Sequence, residues 1–188
     1  MMKLILQLII IGGALTFLVF GVNLAWSDDD DDDDDSHRRG KGVANVQLPL
    51  YTEDCGECHM EYPPGLLPSE SWSRVLAGLS DHFGDNAEID SSSMGQIEKF
   101  LQKNSADNSE YIRSKKMMRG ISATSNTPLR ITTLPYFVRK HDEISASMVK
   151  GNDKVRSFAN CDACHSKAKQ GLFSERNISI PGYASWDD

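Results

Sequence analysis

Apolar positions along most of this chain recur three or four residues apart, the spacing of a helix face rather than of a strand. In residues 68–87, Trp72, Val75, Leu76, Leu79, His82 and Phe83 fall on one stripe. Ser69 or Ser71 can cap the start of that helix and Gly84 can end it. A second helix is predicted after Asp90, with Met94, Ile97, Phe100 and Leu101 on its apolar face. The polar, basic stretch 104–130 then breaks the periodicity. It resumes over 134–151, where Phe137, His141, Ile144 and Met148 share one face, and a short helix is expected over 153–165. The last twenty residues, with Gly171, Pro181 and Gly182, read as irregular. No segment alternates with the period of a sheet, so the expected fold class is mostly α.

The start of the chain has a different pattern. Leu4 to Val22 are almost wholly apolar, Lys3 precedes them, and Ala25-Trp26-Ser27 places small residues where a signal peptidase cuts. Residues 1–27 therefore read as an export signal. A run of this length also suffices to cross a bilayer, so an uncleaved anchor is the alternative. In either case the lysine stays inside and the rest works outside the cytoplasm, in the periplasm of a Gram-negative cell. Asp28 to Asp35 then follow without interruption. Like charges so dense repel one another, and residues 28–45 are expected to be a disordered acidic tail acting as a solvated spacer, with metal buffering or partner docking as alternatives.

The 188 residues are 39% apolar and 8% aromatic, with a formal charge of −7. This suits one or two small domains, and units of about 60 residues bury too little surface to be comfortably stable alone. Such units need a covalent or metal staple. The charge is unevenly spread: residues 28–110 carry 20 acidic and 6 basic side chains, residues 111–188 carry 7 and 13. The halves are thus −14 and +6. Nucleic acid is not an expected partner.

The chain has four cysteines, and all of them fall in two copies of Cys-x-x-Cys-His: Cys55, Cys58 and His59, then Cys161, Cys164 and His165. A redox dithiol would need a βαβ setting that is missing here, and it leaves the histidine without a role. A shared structural zinc would have to join pairs 103 positions apart, far beyond the usual spacing. Covalent haem attachment explains every residue: two thiols take the vinyl groups and the histidine points at the iron. Two covalently bound haem c groups are therefore expected, and they would be the missing staples.

The sixth iron ligand decides the chemistry. His82 and His141 each lie on an apolar helical stripe, where a buried imidazole needs a partner that the neighbouring sequence does not offer. They are the expected distal ligands. Met60, Met94, Met117, Met118 and Met148 are the other candidates, and Met94 and Met148 are the fallback.

The segments 57–90, "YFVRKHDEI" and "CDACH" resemble the soluble dihaem cytochrome c family, across roughly residues 48–175. The tyrosine-proline run with Trp72 and His82 is the specific part of the match. The resemblance implies an N-terminal haem domain similar to class I cytochrome c (residues 46–108), a linker (109–134) and a smaller C-terminal haem domain (135–188). It also implies iron held by His59 with His82 and by His165 with His141, although a crossed pairing would use the same residues. The implied role is electron transfer without enzymatic activity, with an oxygen-binding monohaem cytochrome, the sphaeroides haem protein, as partner and a membrane cytochrome as donor. The rival reading is a peroxidase-like or gas-binding dihaem enzyme with one open iron. The poly-aspartate run is foreign to the family pattern.

Overall fold

Proline starts the first helix. In the computed structural model, which describes residues 42–121 and 127–183, α1 spans Pro49–Cys55 with Pro49 where its missing N–H costs nothing. Gly56 ends it by donating its N–H to the Thr52 carbonyl (3.0 Å). The expected export signal and the aspartate run lie outside the described residues.

Helix α2 spans Ser69–Ala77 and α3 spans Ser91–Lys103. They pack on each other through Trp72, Leu76, Ile97 and Leu101, all buried. Neither serine caps α2 in the expected manner. Asp107 does so from 38 residues away, accepting from both the N–H and the hydroxyl of Ser69. The Ser71 hydroxyl instead donates to the Pro128 carbonyl (2.7 Å), and Arg74 donates to the Thr127 carbonyl (2.7 Å). These two bonds fasten α2 to the later chain.

The described parts of the stretch expected to be a linker, 109–121 and 127–134, are structured. They hold α4, Ile112–Met117, and put Met117, Ile131 and Leu134 into the same buried cluster as Trp72, Leu76, Ile97 and Tyr136. Helix α5 spans Pro135–Lys140 and α6 spans Ala146–Val149. Short 3-10 turns fill much of the remainder. Among the described residues no strand forms, and β pairing is limited to isolated bridges such as Gly42 with Leu172 and His165 with Ile178.

Three expected helices differ from what forms. The first stops at Ala77, and a 3-10 turn, Leu79–Asp81, carries the chain on to His82. The stripe of residues 134–151 is two short helices, with His141 at the C-terminal cap of α5 and Ile144 beyond it. The helix expected over 153–165 is absent: only a 3-10 turn, Cys161–Ala163, forms there. Side chains hold that region in place of a helix. Asn152 donates to the Pro181 carbonyl (2.7 Å) and Asn160 to the Val155 carbonyl (2.7 Å).

Candidate functional site

Helix α1 delivers Cys55 at its last position, and the turn after it presents Cys58 and His59. The Nδ1–H of His59 donates to the Met60 carbonyl (2.7 Å), since a carbonyl can only accept. That fixes the tautomer and leaves the Nε2 lone pair available to a metal. His82 faces it, with ring centroids 6.3 Å apart and 24° between planes. Given a metal–imidazole bond of about 2 Å and roughly 1 Å from nitrogen to ring centre, one metal ion between two opposed rings sets their centres about 6 Å apart.

The position of His82 comes from a tight turn. His82 and Asp85 pair through their backbones, His82 N–H to Asp85 carbonyl at 2.7 Å and the return bond at 3.3 Å. Between them Phe83 has φ 60° and Gly84 φ 110°. Two positive φ values in succession suit glycine and strain phenylalanine. The Arg130 guanidinium lies 3.8 Å over the exposed Phe83 ring and holds it there.

The second cluster is built from α5 and the turn at Cys161. His141 donates Nδ1–H to the Phe137 carbonyl (2.8 Å) and stacks on the Phe137 ring (3.9 Å, 11°). Its Nε2 is thereby left with a lone pair. The N–H of His165 returns to the Cys161 carbonyl (2.8 Å), and Ser179 N–H holds the Cys164 carbonyl (2.9 Å). His141 and His165 have centroids 6.2 Å apart, with 73° between planes. His165 Nδ1 is buried and hydrogen-bonded to nothing among the described residues.

The electrostatics favour neutral groups. Burial lowers His82, and His59 and Arg130 push it the same way. Burial lowers His141, although its bond to Phe137 opposes this, and burial with His141 and Arg113 brings His165 down to about 4. Neutral imidazoles are what a metal requires. Burial with Asp54 pushes Cys55 up to about 11, burial with Asp162 does the same to Cys161, and burial raises Cys164. Thiols held protonated by burial are poor redox nucleophiles. With a histidine pair beside each Cys-x-x-Cys-His motif, the residues fit two haem groups.

All eight expected site residues fall into these two clusters, and each distal histidine faces the histidine of one motif rather than crossing over. Of the candidate methionines, Met60 and Met117 are buried, and Met94 packs against the core. Sequence patterning missed Tyr62, Arg130 and Phe158. Tyr62 stacks on His59 (4.7 Å, 29°), and Phe158 stands edge-on to His141 (5.7 Å, 85°).

A family model described as dihaem cytochrome c matches residues 51–173. Among solved structures, the dihaem cytochrome c of Shewanella baltica is similar at 40% identity and TM-score 0.61, covering 73% of this chain and 96% of that one. The dihaem cytochrome c of Rhodobacter sphaeroides is similar at 47% identity and TM-score 0.61, covering 70% and 99%. A second structure from Rhodobacter sphaeroides is 44% identical with TM-score 0.54 over 68% and 98%. No curated protein matches the chain.

Proposed function

The chain belongs to the dihaem cytochrome c family and carries two haem c groups, and on that premise we propose that it is an exported carrier of single electrons with each iron held between two histidines. Cys55 and Cys58 anchor one haem through thioether bonds, and Cys161 and Cys164 anchor the other. His59 and His82 ligate the first iron, His165 and His141 the second.

The observation that carries this reading is the pair of histidine–histidine separations, 6.3 and 6.2 Å, each beside a Cys-x-x-Cys-His motif. One metal ion fits between the rings of each pair, and an iron so ligated has no open position for a substrate. Two nitrogen donors also hold the potential below that of a histidine–methionine haem. The fold supplies attachment, ligands and shielding, while the redox chemistry belongs to the haem.

Export follows from residues 1–27, whether cleaved or retained as an anchor. Among the described residues no helix is long and apolar enough to cross a membrane. The proposed acceptor is an acidic redox protein, such as an oxygen-binding monohaem cytochrome, and the proposed donor is a membrane cytochrome. The net charge of +6 on residues 111–188 supports docking of an acidic partner beside the second haem.

The ferric protein's near-infrared spectrum tests the ligation. Bis-histidine haems lack the sulfur-to-iron band that methionine ligation produces. A band of that kind, at the intensity of one haem, would remove one histidine pair from this reading.

A further inference from the structure

Tyr62 is three residues beyond His59 in sequence, yet its hydroxyl belongs to the other cluster. The phenol donates to the Ala159 carbonyl (2.8 Å), 97 residues away. Its ring meanwhile stacks on the His59 imidazole at 4.7 Å. Ala159 is flanked on both sides by the second site. Phe158, one residue before it, stands edge-on to His141, and Cys161 lies two residues after it. One side chain therefore touches a ligand of the first iron and the chain segment that carries Phe158 and Cys161.

The geometry points to Tyr62 as the electronic bridge between the two haems. This rests on the reading of the protein as a dihaem electron carrier. Tunnelling falls off more slowly through bonded and hydrogen-bonded atoms than across an open gap. From His59 the path runs across the ring stack, through the phenol and its hydrogen bond, and along the main chain to Cys161. An electron leaves one ferrous iron and reduces the other, ferric iron. No bond is formed or broken, no proton moves, and Tyr62 ends unchanged.

The surroundings suit a bridge that holds its place. Tyr51, itself buried, donates its hydroxyl to the Tyr62 carbonyl (2.9 Å) and pins the backbone.

The test uses the holoprotein and two variants. Tyr62→Phe removes the hydrogen bond and keeps the stack, and Tyr62→Leu removes both. Inter-haem electron exchange is followed after flash reduction, with both potentials measured so that rates are compared at equal driving force. Exchange coupling between the two ferric irons is read by paramagnetic resonance, which needs no turnover. The expected result is a several-fold slower exchange in Tyr62→Phe, a larger slowing in Tyr62→Leu, and weaker coupling in both, with melting temperature and haem spectra retained in Tyr62→Phe. A merely structural role would change melting temperature and potentials but not the corrected rate or the coupling, and that pattern overturns the proposal. Unchanged rates and coupling in both variants overturn it as well. If the wild-type protein shows no inter-haem exchange, the electron-carrier reading fails first, and the bridge fails with it.

Discussion

His59 and His82 face each other nearly parallel, 24° apart in plane, whereas His141 and His165 stand nearly perpendicular at 73°. The two pairs have almost the same separation, so orientation is what distinguishes them. The cause is local. The 82–85 turn delivers His82 from beyond the end of a helix, and the stack on Phe137 fixes His141 at the cap of α5. In a low-spin ferric haem, parallel axial rings split the iron's d orbitals, while perpendicular rings leave two of them nearly equal in energy. Paramagnetic resonance of the oxidised protein should show two signals in equal amount, one rhombic and one strongly anisotropic. Two superimposable rhombic signals would contradict the second geometry.

Replacing one ligand should move one potential. With methionine as distal ligand the ferrous state gains, so His82→Met should raise the potential of the first haem and leave the second nearly unchanged. His141→Met should do the reverse. A potentiometric titration of each variant checks the assignment, and a shift of both potentials by similar amounts in either variant would refute the pairing.

The two cysteine motifs were legible in the sequence because all four cysteines fall in them, and the apolar stripes singled out His82 and His141, whose rings lie beside the motif histidines. The stripes placed His82 and His141 on helices, which is only roughly where they lie. Each belongs to a segment that leaves a helix: Phe83 and Gly84 at positive φ cannot continue one after His82, and His141 is the C-terminal cap of α5. The Cys161 turn was misread as helix because its order comes from Asn152 and Asn160 bonding main-chain carbonyls, which leaves no periodic trace. Tyr62 stood out only as part of the tyrosine-proline run, and nothing near it in the sequence signals its contact with Ala159.

Asp107 should hold α2 in place. It accepts from the Ser69 N–H at 2.9 Å and from the Ser69 hydroxyl, the work of a capping residue. Asp107→Ala should cost about 1 kcal/mol, the usual value of a lost N-cap. Burial pushes this carboxyl up, but hydrogen bonds from Ser105 and Ser69 prevail and hold it below its ordinary value. A carboxyl depressed in the folded state contributes stability above its unfolded value, and that contribution disappears as pH falls through the folded value. The difference in melting temperature between wild type and Asp107→Ala should therefore shrink in acid, and a difference that stays constant from neutral pH down to strong acid would contradict the cap.

Docking through the basic half should depend on salt. Lys115 is exposed and ion-paired with Glu110 (2.6 Å), whereas Lys116 is buried at 8% exposure. Charge reversal at Lys115 together with the exposed Arg119 should slow electron transfer to an acidic partner at low salt and have little effect at 1 M, where the Debye length falls to about 3 Å. Lys116→Glu should act differently and lower the melting temperature, because it puts a carboxylate where a buried lysine stood. Stopped-flow rates across ionic strength and a thermal melt separate the two, and rates independent of salt would leave the charge asymmetry without a role in docking.

The most direct measurement is a carbon monoxide difference spectrum of the fully reduced protein at neutral pH. Carbon monoxide binds ferrous haem that has an open or weakly held sixth position. With His82 and His141 filling both positions, the spectrum of the reduced protein should be unchanged by the gas. A shifted Soret band accounting for either haem would show an accessible iron, and the account of this protein as a carrier with two closed haems would fall.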